Sequence, residues 1–95
     1  MGELYAWLLE AVREGRYIIG EHASDRLQER GIMEWQVIAG MTEAELLEEH
    51  TRARQNATVK VRIALPDGTD CEVVWSRLRR AGVAKLVTVF YPRKD

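Results

Sequence analysis

His22, Arg26 and Arg30 stand four residues apart in the stretch His22-Ala23-Ser24-Asp25-Arg26-Leu27-Gln28-Glu29-Arg30-Gly31-Ile32. On a helix that spacing sets all three on one face, while Ala23 and Leu27 mark a second, apolar face. An imidazole titrates near neutrality and can pass a proton. Two guanidiniums one turn apart can hold phosphate oxygens in forked geometry. Were the anion an RNA phosphodiester, which the spacing by itself does not imply, its cleavage would need a base for the 2′-hydroxyl, cations for the charge on the phosphorane and an acid for the leaving oxygen. His22, Arg26 and Arg30 are residues of those types, and Tyr91 adds a proton donor or a ring to stack on a base. Lys60, Arg62, Arg77, Arg79 and Arg80 would extend a basic track on or beside a sheet. The same row also suits plain scaffolding. His22 can bond to backbone, and Arg26 and Arg30 can pair with Asp25, Glu29 or Glu34, or brace the acidic segment 45–50. No complete catalytic motif accompanies the row, so its spacing alone leaves both readings open.

The chain has 95 residues, 46% apolar and 31% charged, which fits one globular domain spanning 1–95. A domain of this size buries only roughly 60–70% of its unfolded surface, so its core is small. Residues 1–50 carry four Lys/Arg against eleven Asp/Glu, a net of −7, and residues 51–95 carry ten against four, a net of +6. Such asymmetry points to internal charge matching or to a basic surface facing an anionic partner. Cys71 is the sole cysteine. One thiol allows no internal disulfide and no cysteine zinc site, and it suits a reducing compartment. The apolar run near the start is broken by Glu3, Glu10 and Arg13 and lacks a basic leader, so no signal peptide is read and a cytoplasmic protein is expected. No run reaches the ~18 apolar residues of a membrane helix, so no membrane partner is expected. Nothing in the spacing brings His22 and His50 together with a carboxylate, so neither a metal nor a cofactor is expected.

The elements that must position the row follow from periodicity. Leu4, Tyr5, Leu8, Leu9 and Val12 predict an amphipathic helix over 3–14, stopped by Gly15. Arg16-Tyr17-Ile18-Ile19-Gly20 is a short strand. The His22 helix stops at Gly31, and a third helix begins near Glu34, with Ile32 and Val37 as a hydrophobic staple. Met33 falls at its N-cap and supplies no side-chain oxygen. Thr42-Glu43-Ala44-Glu45 has capping-box spacing, so local signals alone continue helix through His50. From Val59 the period becomes two. A three-residue loop at Pro66-Asp67-Gly68 pairs Val59 with Trp75, Val61 with Val73 and Ile63 with Cys71, and sets Arg62 opposite Glu72 on the other face. Arg77 to Gly82 reads as a basic hairpin loop. Leu86 to Tyr91 follows as the central strand, with Leu86 and Phe90 on one face and Val87 and Val89 on the other. Trp75 belongs to the core. Trp7 and Trp35, on helix edges, suit contacts with a partner or a second copy.

Tyr17-Ile18-Ile19-Gly20-Glu21-His22-Ala23, then Arg26, then Arg30-Gly31-Ile32, resembles the bacterial domain-of-unknown-function family numbered forty-two fifty-eight. Glu45-Leu46-Leu47-Glu48-Glu49-His50 matches its short acidic-apolar strand. Asn56-Ala57-Thr58-Val59-Lys60-Val61 resembles its entry to the meander, and Leu86-Val87-Thr88-Val89-Phe90-Tyr91-Pro92 its closing strand. The likeness spans about 16–92, leaving the helix at 1–15 as an addition. Met33, Ala57 and His50 depart from the usual cap, proline and tyrosine. The resemblance implies that 45–50 is a strand. It also implies a two-layer α+β fold similar to the RelE, MqsR and BrnT toxins, in the order α-β-α-α-β-β-β-β with helices on a small, mainly antiparallel sheet. The activity implied is a metal-independent endoribonuclease of a toxin–antitoxin pair, with RNA and an antitoxin as partners. The alternative is a non-catalytic protein-interaction module or a homodimer on the same fold.

Overall fold

The computed structural model describes residues 2–51 and 56–91. Residues 1, 52–55 and 92–95, including Pro92 of the closing motif, lie outside the described residues. The elements run α1 (Glu3–Arg13), β1 (Tyr17–Ile19), α2 (Glu21–Arg30), α3 (Glu34–Gly40), a 3-10 turn (Met41–Glu43), β2 (Glu45–His50), β3 (Thr58–Ala64), β4 (Asp70–Leu78) and β5 (Val83–Phe90). They form an α+β fold of three helices and one five-stranded mixed sheet in the order β1-β5-β4-β3-β2. Only the β1–β5 pair is parallel; the other three pairs are antiparallel.

Both long helices end where glycine lets the backbone turn left-handed. Gly15 has φ +79°, and the Arg16 and Gly15 N–H groups close onto Ala11 O and Val12 O at 2.8 and 3.0 Å. Gly31, with φ +68°, ends α2 the same way: Ile32 N–H bonds Leu27 O and Gly31 N–H bonds Gln28 O. These bonds satisfy carbonyls that a helix end leaves free. At α3 the Gln36 side chain accepts from Met33 N–H at 2.9 Å, while Ile32 and Val37 are buried as a staple.

The β3–β4 register pairs Val59 with Trp75, Val61 with Val73, Ile63 with Cys71 and Arg62 with Glu72. Leu65 N–H to Thr69 O at 2.7 Å closes a loop of Pro66, Asp67 and Gly68. The apolar residues of this hairpin join Leu4, Leu8, Val12, Ala23, Leu27, Val37, Leu86 and Val89 in one core, so the helices cover one face of the sheet. Trp75 is fully buried there, edge-on to Tyr17.

Three expectations need correction, while the strand at 45–50 that the family resemblance implies holds against its capping-box spacing, because pairing with β3 buries what a short helix could not. A bulge at Leu47 lets Leu46 and Glu49 face inward, with Glu45, Glu48 and His50 outward. Residues Leu86 and Phe90 do not share a face. A bulge at Val87 sets Leu86 and Val89 on the core side and Phe90 on the other, beside Glu72. The middle strand is β4, with β5 between it and β1. The strand β4 runs through Arg77 to Leu78, so the basic turn is only Arg79 to Gly82.

Candidate functional site: the exposed flank of α2

Helix α2 is held against β5 by close backbone contact. Gly20 N–H bonds Leu86 O at 2.9 Å, and a Cβ on Gly20 would lie 2.8 Å from that same oxygen. Glycine is thus required where β1 hands over to α2. Strand β1 pairs only with Ala84, Lys85 and Leu86. Beyond Leu86, α2 flanks β5, with Ala23 and Leu27 turned into the core. His22 sits in the first turn, and Arg30 in the last turn reaches Tyr91, the residue after β5.

This places the row on one exposed flank. His22 is exposed, with no hydrogen-bond partner recorded among the described residues. The helix start beside it has no side-chain cap and carries the positive end of the helix dipole. Arg26 pairs with Glu29 at 3.3 Å, with both side chains well exposed. Arg30 holds its guanidinium carbon 5.0 Å over the Tyr91 ring. The acidic strand does not brace this row. Glu45 holds Arg62 at 2.8 Å, Glu48 holds His50 at 2.9 Å, and Glu49 accepts from Tyr5 N–H at 2.9 Å.

The basic track does not form. Lys60 lies 3.2 Å from Glu72 and 3.5 Å from Glu48, over the Phe90 ring at 5.0 Å. Its pKa is raised, chiefly by the hydrogen bond to Glu72 against partial desolvation. Arg62 stands opposite Glu72 in register, but its guanidinium bonds Glu45. Arg77 and Arg16 each lie 5.6 Å from the Trp7 ring centre, so Trp7 serves an internal contact and does not stand free for a partner. Arg79 and Arg80 are exposed on the β4–β5 turn, at the opposite end of β5 from Arg30 and Tyr91. Five basic residues that read as one track are therefore split among ion pairs, an indole and a distant turn.

Cys71 is fully buried, and burial first, then the nearby Asp70 charge, pushes its thiol up to about 11. Among the described residues no group of three or more His, Cys, Asp or Glu could hold a metal ion. No described helix is long and apolar enough to cross a membrane. Trp35, expected from its helix-edge position to contact a partner, is exposed and, with Met33, lines a groove between α2 and α3 that the sequence did not reveal.

The family model described as Domain of unknown function (DUF4258) matches residues 19–91, and the chain belongs to that family. No curated protein and no solved structure matches the chain. The matched span begins inside β1, so α1 stands outside it. Yet α1 supplies Leu4, Tyr5, Leu8, Ala11 and Val12 to the common core.

Proposed function

We propose that the α2 flank is the phosphate-binding and catalytic surface of a small cytoplasmic endoribonuclease, a toxin held in check by an antitoxin. One observation carries the reading: Arg30 over Tyr91 at 5.0 Å joins the basic row to an exposed aromatic far away in the chain. The unbraced state of His22 and Arg30 supports it further. The Arg26–Glu29 pair is exposed and weak, about 0–1 kcal/mol, and exchanges readily for phosphate. The toxin-like fold that the sequence resemblance implies suggests the reaction class by analogy, while the chemistry must come from the site.

In the proposed reaction His22 takes the 2′-hydroxyl proton as that oxygen attacks phosphorus. Arg26 and Arg30 neutralise the phosphorane oxygens. Tyr91, held by Arg30, donates its phenolic proton to the departing 5′-oxygen, and the proton taken up by His22 returns to the phenolate through solvent. The products are a 2′,3′-cyclic phosphate and a 5′-hydroxyl. Metal enters no step.

The test is induced expression in a bacterium, paired with purified protein on mixed-sequence single-stranded RNA in chelator. The wild-type chain should arrest growth and fragment RNA. His22→Ala and Arg26→Ala should relieve arrest, with His22→Ala slowing cleavage about 10²- to 10⁴-fold. Unimpaired growth with intact RNA overturns the reading, as does cleavage unchanged by His22→Ala.

A further inference from the structure

The other flank of α2 carries different chemistry. Among the described residues the exposed large apolar ones are Ile18, Met33, Trp35 and Tyr91, and Met33 and Trp35 are the most exposed of these, at 58% and 60%. They stand together at the entry to α3. Both line a groove of about 520 Å³ between α2 and α3, with Tyr17, Leu27, Ile32 and the exposed Glu34 also lining it. The staple of Ile32 and Val37 already fills the inner side of α3, so the indole has no place in this chain's own core. An exposed indole beside a methionine is the composition of an interface centre, where tryptophan and methionine are enriched.

The charge around the groove selects the occupant. Glu34 lines it, and Glu21 and Asp25 are exposed on the outward ridge of α2. Every ion pair among the described residues uses other carboxylates: Glu14, Glu29, Glu45, Glu48 and Glu72. Among the described residues these three carboxylates meet no cation, which suits them to cations of a partner. A second copy docked symmetrically would set two identical acidic surfaces against each other.

We propose that the α2–α3 groove binds a segment of a partner protein that inserts a bulky apolar side chain beside Trp35 and flanks it with lysine or arginine facing Glu34, Asp25 and Glu21. The proposal does not depend on ribonuclease activity, because the groove lies on the flank of α2 away from His22, Arg26 and Arg30.

The probe is a displayed library of random 12-residue peptides, selected on the full chain and counter-selected on the Met33→Ala/Trp35→Ala double variant. Winning sequences are then measured as synthetic peptides. Circular dichroism on each variant checks the fold, which these exposed substitutions should leave intact. The expected result is a consensus of one aromatic or leucine anchor flanked by basic residues. Its affinity should fall about tenfold or more with Trp35→Ala and fall again with Glu34→Lys. No enrichment over the double variant overturns the proposal. So does a consensus without basic residues, or sedimentation showing Trp35-dependent self-association of the chain.

Discussion

Lys60 and Arg62 share the outward face of β3, each with acids on both neighbouring strands. Arg62 stands in register with Glu45 on β2 and Glu72 on β4 and bonds Glu45, while Lys60 pairs with its register partner Glu48 at 3.5 Å and reaches the diagonal Glu72 at 3.2 Å. Long side chains reach diagonal as well as direct neighbours, so register narrows the partners without choosing among them. The result leaves each of these carboxylates with a cation and both cations engaged within the sheet. Cys71 illustrates the opposite case, a residue whose role is decided by burial. Its thiol is raised to about 11, and only the thiolate attacks. At pH 8 a thiol-specific reagent should therefore label the native chain at least about 100-fold more slowly than the chain in denaturant. Equal rates would show that Cys71 is accessible.

At the scale of elements, β2 joins its neighbours through charge as much as through packing. Glu49 bonds the Tyr5 N–H at the start of α1, Tyr5 Oη bonds Ala44 O, and Glu48 faces His50 and Lys60. The His50 hydrogen bond, then the Lys60 charge, hold Glu48 below its ordinary value near 4.5. A depressed carboxyl stabilises the fold fully above its unfolded pKa and loses that contribution as pH falls through the folded one. Lys60, raised above its ordinary value near 10.5, does the reverse, losing its contribution as pH rises through the folded value. Denaturant midpoints of wild type and Glu48→Gln should thus differ at neutral pH and converge as pH falls below 4.5. A difference that persists unchanged into acid would remove Glu48 from this account. The same strand shows where local reading stops. The capping-box letters of 42–45 favour helix, but Leu46 and Leu47 are too few to make a helical stripe, and pairing with β3 wins.

For the whole molecule, the matched family span and the physical domain do not coincide. Helix α1 lies before the span, yet its buried side chains touch the same core as β4 and β5. Leu4, Tyr5, Leu8 and Val12 are each worth about 1.5–3 kcal/mol when buried. Together they rival the ~5–15 kcal/mol net stability of a typical domain. A chain lacking residues 2–14 should therefore show no cooperative thermal unfolding by calorimetry. A sharp transition in that truncated chain would mean that 16–91 closes its own core.

What the sequence by itself determined is the short-range part. Glycine stops at 15 and 31, the Ile32–Val37 staple, the three-residue hairpin loop and the β3–β4 register all follow from backbone sterics and a two-residue alternation. The His22–Arg26–Arg30 row was also legible, because helical spacing fixes a shared face. Tertiary structure alone decided what that row meets. The bulges at Leu47 and Val87 reset which side chains face inward, and no local pattern announces a bulge. The choice of ion partner rests on distances between strands, and the contact of Arg30 with Tyr91 on where α2 comes to lie along β5. Those are properties of the packed chain. They left the row exposed, dispersed the basic track and opened the groove beside Trp35.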